Sequence, residues 1–276
     1  MTLPNFVVIG PGKTGTTWLY DCLREHPQIG LARHTKETVF FTDYYARGLG
    51  WYESFFRDCA GAVAIGEVSN TYFFSAEAAA RMAADIPDAR LIVFLRHPVE
   101  RLVSYYLFQR RNGRALESLD DAVAHDPDLT AQNFFDEHLE PYLARFPRER
   151  IFVALYDDLQ RDPRALLRDI YRFLGVDADF VPQSLAAKPL AASAPRNRLL
   201  SRAAKRTATW LRRRDQHWLL GLGKNSLLAR RLLTRRLRDD EALVLSPQTR
   251  ARLLDLYRPH MERTQRLIGR DLSAWM

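Results

Sequence analysis

Apolar runs of strand length alternate with helix-like segments from residue 5 to about residue 175. The strand candidates are Asn5 to Gly10, Ala62 to Glu67, Arg90 to Leu95 and Arg150 to Tyr156. Each run is apolar nearly throughout, which is typical of parallel strands covered on both faces. The pattern predicts an α/β fold with a central parallel sheet flanked by helices, whose ligands bind beyond the carboxyl ends of the strands.

Apolar spacing and capping residues mark the helices. The segment Thr16 to His26 follows the first strand and repeats apolar residues three and four positions apart. Ser246-Pro247 opens a final helix, which Pro259 should kink or interrupt. Three further helices are predicted from about Ser75 to Ala84, from Pro98 onward, and from the cap Asp162-Pro163 to the closing Gly175.

The chain is predicted to be one domain of residues 1–276 with a basic helical insertion or lid at about 186–240. Ala186 to Pro195 is predicted as an irregular loop. Between Arg196 and Arg238 lie fourteen Lys and Arg residues and one acid, a local charge of +13 against +8 for the whole chain. Such a segment suits an anionic ligand, a nucleic acid, an acidic membrane surface or a solvated helical face.

Composition is that of a soluble globular protein, with 47% hydrophobic and 27% charged residues. No apolar run approaches the roughly 18 residues of a membrane span, although peripheral membrane contact stays open. Met1 to Asn5 is not a basic segment followed by a long apolar one, so we expect a cytoplasmic location. Cys22 and Cys59 are too few for a disulfide framework and are expected to be free thiols.

A glycine-rich loop between the first strand and helix carries the strongest chemical signal. It reads Gly10-Pro11-Gly12-Lys13-Thr14-Gly15-Thr16-Thr17-Trp18. Glycines let backbone N–H groups turn inward, the helix N-terminus adds partial positive charge, and the lysine and threonines add donors. This predicts a phosphate-like anion site. The Walker pattern G-x-x-x-x-G-K-[ST] does not fit, because the lysine precedes Gly15, so a kinase or NTPase is the weaker alternative.

At this point the sequence resembles the sulfotransferases that use 3′-phosphoadenosine 5′-phosphosulfate (PAPS). The string Lys13-Thr14-Gly15-Thr16-Thr17-Trp18 looks like the family's 5′-phosphosulfate loop. The segment Leu91 to Tyr105 resembles its 3′-phosphate element, in which Arg96 offers a planar fork of donors and Ser104 follows in the next helix. The resemblance implies a P-loop-like three-layer fold and sulfuryl transfer from PAPS, leaving 3′,5′-adenosine bisphosphate, with no metal required.

Further strings resemble the branch that includes the heparan sulfate and related glycan sulfotransferases. They are Lys36-Glu37-Thr38-Val39-Phe40-Phe41, Gly66-Glu67-Val68-Ser69-Asn70-Thr71-Tyr72-Phe73 and Tyr156-Asp157-Asp158-Leu159. The resemblance implies Lys13 near the bridging oxygen, Thr14 to Thr17 around the 5′-phosphate, Trp18 on adenine and Glu37 as general base. It also implies an acceptor hydroxyl, or amine, on a glycan, glycolipid or glycosylated metabolite.

Some assignments stay open. Glu67, His34 and His97 are rival bases. Val68 stands where several glycan sulfotransferases carry a lysine, for which Lys36 is a weak substitute. The basic loop that many family members fold over the donor has only Lys188, Arg196 and Arg198 as candidates. A nucleic-acid-binding protein is the non-enzymatic alternative, but it would leave Lys13 and Arg96 without a purpose.

Overall fold

A computed structural model describes residues 2–111, 118–186, 193–195, 234–236 and 245–276. The strands of its main sheet are β1 (Phe6–Gly10), β2 (Ile29–Leu31), β3 (Ala64–Val68), β4 (Arg90–Leu95) and β5 (Ile151–Leu155). The α-helices are α1 (Thr16–Glu25), α2 (Leu49–Glu53), α3 (Ala76–Asp85), α4 (Pro98–Arg111), α5 (Leu119–His125), α6 (Pro127–Ala131), α7 (Phe135–Leu143), α8 (Tyr156–Arg161), α9 (Pro163–Leu174) and α10 (Pro247–Ile268).

The five strands form one parallel sheet in the order β2-β3-β1-β4-β5. β1 lies at the centre, where Phe6 aligns with Gly66 of β3 and with Arg90 of β4. Because the strands are parallel, the segments that follow β1, β3 and β4 leave the sheet at the same edge. The topology thus brings the glycine-rich loop, the end of β3 and Arg96 together.

Helices cover both faces of the sheet, so the predicted three layers are confirmed. Successive residues of β1 alternate between two cores, as pleated strands require. Phe6 and Val8 pack with α1 and α9, whereas Val7 and Ile9 pack with α3, α4, α7 and α10. β1 is fully buried along its length, which explains its unbroken apolar sequence.

Several elements differ from the sequence predictions. β2, with three residues, and the short helices α5 to α7 between Leu119 and Leu143 were not predicted. α10 continues through Pro259, so the predicted interruption is wrong. Ser193–Pro195 is a strand paired antiparallel with Thr234–Arg236, instead of irregular loop. The rest of the predicted basic lid lies outside the described residues, and the single-domain division stays a prediction.

The C-terminal segment after α10 docks beside the end of β5. Arg270 Nη1 and Nη2 donate to the two carboxylate oxygens of Asp158 at 2.6 and 3.0 Å. Trp275 Nε1 donates to Asp157 Oδ2 at 3.2 Å, and its ring is buried. Within the described part of the chain, no helix combines the length and apolar character of a membrane span.

Candidate active site

The glycine-rich loop, residues 10–17, is held in a conformation that its sequence makes possible; we call it the donor loop. Gly15 has φ 109°, and a Cβ there would lie 2.7 Å from Leu159 Cδ2, so glycine is required. Lys13 is also left-handed, with φ 75°, which is uncommon for a residue with a side chain. Because Gly15 caps α1 without a side chain, the first N–H groups of α1 receive no side-chain cap. The loop can therefore present those donors to an anion.

The threonines of the donor loop differ in exposure. Thr14 is fully buried and its hydroxyl donates to the Pro11 carbonyl at 2.7 Å, which closes the loop on itself. Thr16 is also buried, whereas Thr17 is partly exposed. Backbone N–H groups, rather than the Thr14 hydroxyl, are thus the donors that this loop offers to a ligand.

Arg96, predicted to bind the 3′-phosphate, follows β4 and lies against the donor loop. Its guanidinium stacks 4.4 Å from the Tyr156 ring centroid, pairs with Glu100 at 3.1 Å and reaches the Lys13 carbonyl at 3.5 Å. Its Nε is buried with no hydrogen-bond partner among the described residues. A buried donor left unpaired beside a glycine cradle fits a site that binds an oxyanion.

Arg101 is a further residue at the loop that sequence reasoning did not single out. It is 1% exposed, and its Nε donates to the Gly12 carbonyl at 3.1 Å while Nη1 donates to Asn133 Oδ1 at 2.7 Å. Burial lowers the pKa of Arg101 to about 10. Its hydrogen bond to Gly12 supports the donor loop. The sequence feature that could have pointed to Arg101 is its position in the first turn of the helix that begins at Pro98.

Trp18 and Ser104 flank the loop less directly. Trp18 is 4% exposed within the core, and its indole N–H donates to the Leu185 carbonyl at 3.3 Å. Ser104 lies partly buried on α4, the helix that follows Arg96. Their contacts with adenine and the 3′-phosphate stay predictions.

Lys36 and Glu37 lie beside the donor loop. Lys36 Nζ is 3.4 Å from Thr17 Oγ1, and Glu37 Oε1 accepts a hydrogen bond from Asn70 Nδ2 at 2.6 Å. Asn70 in turn follows β3, whose residue Val68 is fully buried. The structure therefore brings a lysine and a carboxylate from one segment against the loop that carries Lys13.

Glu67, the rival carboxylate, is fully buried at the end of β3. Its oxygens accept five hydrogen bonds, from the Thr38 N–H and hydroxyl and from the hydroxyls of Tyr52, Ser69 and Tyr72, at 2.6–2.9 Å. Burial raises the pKa of Glu67, and several of these hydrogen bonds oppose the rise. Because Thr38 follows Glu37 directly, this network fixes the segment that carries Glu37.

The remaining predicted residues either have no described contact with the donor loop or lie outside the described residues. His34 is exposed, with φ 64°. His97 lies 6.3 Å from the ring of Trp275, and burial lowers the pKa of His97. Lys188, Arg196 and Arg198 lie outside the described residues.

Comparison with known proteins defines the class. The family model "Sulfotransferase domain" matches residues 3–197, so the chain belongs to the sulfotransferase domain family. The predicted family is confirmed, and the matches support sulfuryl transfer over the kinase alternative.

Two curated relatives come from the heparan sulfate branch. Human bifunctional heparan sulfate N-deacetylase/N-sulfotransferase 3 is 32% identical over 195 residues, covering 63% of this chain and 22% of the relative. Mouse heparan sulfate glucosamine 3-O-sulfotransferase 3B1 is 34% identical over 184 residues, covering 63% and 46%. The chain thus spans less than half the length of either relative.

A solved structure confirms the fold. The sulfotransferase from Alicyclobacillus acidocaldarius superposes with a TM-score of 0.73 at 25% sequence identity, covering 100% of this chain and 99% of that one. The predicted P-loop-like architecture is therefore that of a solved bacterial sulfotransferase.

Proposed function

We propose that this chain transfers the sulfuryl group of PAPS to a hydroxyl or amine of a carbohydrate-containing acceptor. The observation that carries the proposal is the meeting of three distant segments at one sheet edge. Arg96 reaches the Lys13 carbonyl, and Lys36 reaches Thr17 of the same loop. A donor loop, an anion-binding arginine and a carboxylate are thereby adjacent, as in-line transfer requires.

The residues divide the work between donor and acceptor. Lys13 stabilises charge that develops on the leaving phosphate oxygen, while the N–H groups of residues 14–17 hold the 5′-phosphate. Arg96 and Ser104 hold the 3′-phosphate, and Trp18 contacts adenine. As the sulfur–oxygen bond to phosphate breaks, Glu37 accepts the proton of the acceptor hydroxyl whose oxygen bonds to sulfur. No metal ion is needed in this scheme.

Lys36 supplies a second cation to this site. Its ammonium contacts Thr17, at the beginning of α1. Val68 is buried and cannot provide that charge. In this assignment Lys36 takes the place of the lysine that several glycan sulfotransferases carry at the position of Val68.

Ligand-dependent thermal stability tests the donor assignment. The protein is heated with 3′,5′-adenosine bisphosphate, with ATP and Mg²⁺, and with an oligonucleotide. At a hundred times its Kd the bisphosphate stabilises the folded state by about 2.7 kcal/mol, a rise in Tm of roughly 5–10 °C. Stabilisation by ATP or by the oligonucleotide in preference to the bisphosphate would overturn the proposal.

Transfer of ³⁵S from labelled PAPS to candidate acceptors tests which chemical class of acceptor the protein uses. An N-sulfotransferase and a 3-O-sulfotransferase both match this chain, so oxygen and nitrogen are both tested as the accepting atom. Heparan sulfate and its N-desulfated form, used as acceptors, distinguish the two. Glycolipid extracts extend the same assay. The cytoplasmic location stays a prediction.

A further inference from the structure

Asn70 touches both halves of the site. Its Nδ2 donates to Glu37 Oε1 at 2.6 Å. Its backbone lies so close to Gly10 that a Cβ there would meet the Asn70 carbonyl oxygen at 2.6 Å. A Cβ on Gly12 would lie 3.7 Å from Asn70 Cγ. One side chain therefore packs against the donor loop and holds the carboxylate opposite it.

The backbone beneath Asn70 is firmly anchored. The Ser69 N–H donates to the Val8 carbonyl of β1 at 2.9 Å, and the Ser69 hydroxyl donates to Glu67 at 2.6 Å. Asn70 therefore starts from a fixed position at the sheet edge. A hydrogen bond from such a position holds Glu37 in place, which a bond from a free surface side chain would not do.

The oxygen of the Asn70 amide argues against a purely structural role for this residue. Asn70 Oδ1 is buried and has no hydrogen-bond partner among the described residues. A buried unpaired acceptor lowers stability, so an asparagine here is a poor choice for folding alone. Such local exceptions concentrate at functional sites.

We propose that Asn70 is a positioning residue that holds the Glu37 carboxylate at a fixed place relative to the donor loop. This inference rests on the proposed function. The amide N–H donates to one carboxylate oxygen and so holds the carboxylate in one orientation. Because an amide is uncharged, it does this without neutralising Glu37. One carboxylate oxygen is engaged by Asn70, which leaves Oε2 for the acceptor.

Asn70→Ala and Asn70→Asp test the proposal through a split between binding and turnover. Asn70→Asp keeps the shape of the side chain and replaces the N–H donor with a carboxylate oxygen. It provides the same test if the alanine variant folds poorly. We expect kcat, measured as ³⁵S transfer or release from labelled PAPS, to fall about tenfold to a hundredfold. The Kd for 3′,5′-adenosine bisphosphate should change less than about threefold. An equal loss in both quantities would make Asn70 a support of the donor loop and overturn the proposal.

A double-variant comparison identifies the route of the effect. In a Glu37→Gln background, Asn70→Ala should lower the residual rate no further, because residues that act as a unit are not additive. A further full-sized loss in that background would contradict the proposal. If the wild-type protein neither binds the bisphosphate nor releases ³⁵S, the proposed function itself has failed, which is a distinguishable result.

Asn5→Ala is the matched control. Asn5 precedes β1 at the opposite end of the strand, where its side chain donates to the Val63 carbonyl at 3.0 Å and accepts from the Ile65 N–H at 2.9 Å. Removing this amide also breaks side-chain bonds to the β3 segment. We expect a lower Tm with kcat within about twofold of wild type, so a matching loss of kcat in both variants would count against Asn70.

Discussion

Two carboxylates near the same sheet edge have opposite environments. Glu37 is partly exposed and has one side-chain hydrogen bond described, from Asn70. Glu67 has no exposed surface, and its oxygens are filled by donors from four residues. A base must reach its proton, so the accessible carboxylate is the one suited to catalysis. Residue type alone did not separate the two, because burial depends on tertiary contacts.

Glu37→Gln should remove catalysis and leave folding intact. The amide keeps the size of the side chain but cannot accept the proton in transfer, so kcat should fall on the order of 10²–10⁴-fold. Steady-state ³⁵S transfer measures the loss, and the Tm and the Kd for 3′,5′-adenosine bisphosphate serve as controls. Turnover within a few fold of wild type would show that another group is the base.

Phe108→Leu should weaken catalysis slightly by removing a cation–π contact of Lys13. The Lys13 ammonium lies 5.1 Å from the centroid of the Phe108 ring, which is on α4 and 43% exposed. Cation–π contacts at exposed sites contribute about 0.5–1 kcal/mol, which corresponds to roughly a two- to fivefold loss in kcat/KM for PAPS.

Phe108→Trp is the matching conservative variant, since it keeps an aromatic face under the ammonium. It should retain kcat/KM for PAPS near the wild-type value. A faster Phe108→Leu enzyme would mean that the ring holds Lys13 away from its working position.

At the level of elements, long buried strands were predictable and short or polar elements were not. β1 is an apolar run throughout and β4 is apolar after Arg90, so the sequence marks both strands clearly. β2 has only three residues, and the helices between Leu119 and Leu143 are five to nine residues long. Elements this short contain too few residues for the spacing of apolar positions to show a helix or strand period. Their structure depends on tertiary packing instead. Pro259 was misleading in a different way, since the 22-residue helix α10 continues through it.

Glu67→Gln should destabilise the element that presents Glu37. The amide NH₂ group replaces an acceptor oxygen with a donor. At the Oε2 position it would face the Thr38 N–H, and at the Oε1 position the Tyr52 and Tyr72 hydroxyls would lose the oxygen to which they donate, so either orientation leaves buried groups unpaired. The expected cost is about 1–3 kcal/mol, measured by urea unfolding. Unchanged stability with lost turnover would instead make Glu67 a direct participant in catalysis.

The pH dependence of this cost has a defined sign. Burial raises the pKa of Glu67 in the folded protein above its ordinary value of 4.5. The folded state therefore binds the Glu67 proton more tightly than the unfolded state does. The stability of the wild-type protein should fall as pH rises from about 4.5 through the raised pKa of Glu67. The glutamine variant does not titrate, so its deficit should narrow across the same interval.

For the whole molecule, the parallel sheet determines which distant residues meet. Once β1, β3 and β4 are assigned as parallel, the donor loop, Glu67 and Arg96 must leave at one edge, and this followed from the sequence. The contact between Glu37 and Asn70 did not follow, because it joins two loops 33 residues apart. Neither strand direction nor periodicity specifies how such loops fold over the edge.

The C-terminal segment closes the molecule at the end of β5 through Arg270 and Asp158. Burial raises the pKa of Asp158, but the hydrogen bonds and charge of Arg270 outweigh burial, so the net pKa is lowered from 3.8. A carboxylate whose pKa is lower in the folded protein stabilises the folded state at pH values above its pKa in the unfolded chain. That contribution is lost as pH falls through its pKa in the folded protein. This ion pair should therefore matter at neutral pH and not in acid.

Arg270→Met tests this closure while retaining an apolar side chain of similar length. The Arg270 side chain is 38% exposed, so solvent screening limits the expected loss to about 1 kcal/mol at pH 7, or roughly 2–4 °C in Tm. The deficit should shrink as pH falls below about 3.8 and disappear once pH is below the lowered pKa of Asp158 in the folded protein. Arg172→Met is the control, because Arg172 pairs with Asp169 at 3.3 Å on the exposed surface of α9 and should cost less than about 0.5 kcal/mol. Equal losses in the two variants, or a loss for Arg270→Met that persists in acid, would mean that the C-terminal segment is held by packing of residues such as Trp275 instead of by the ion pair.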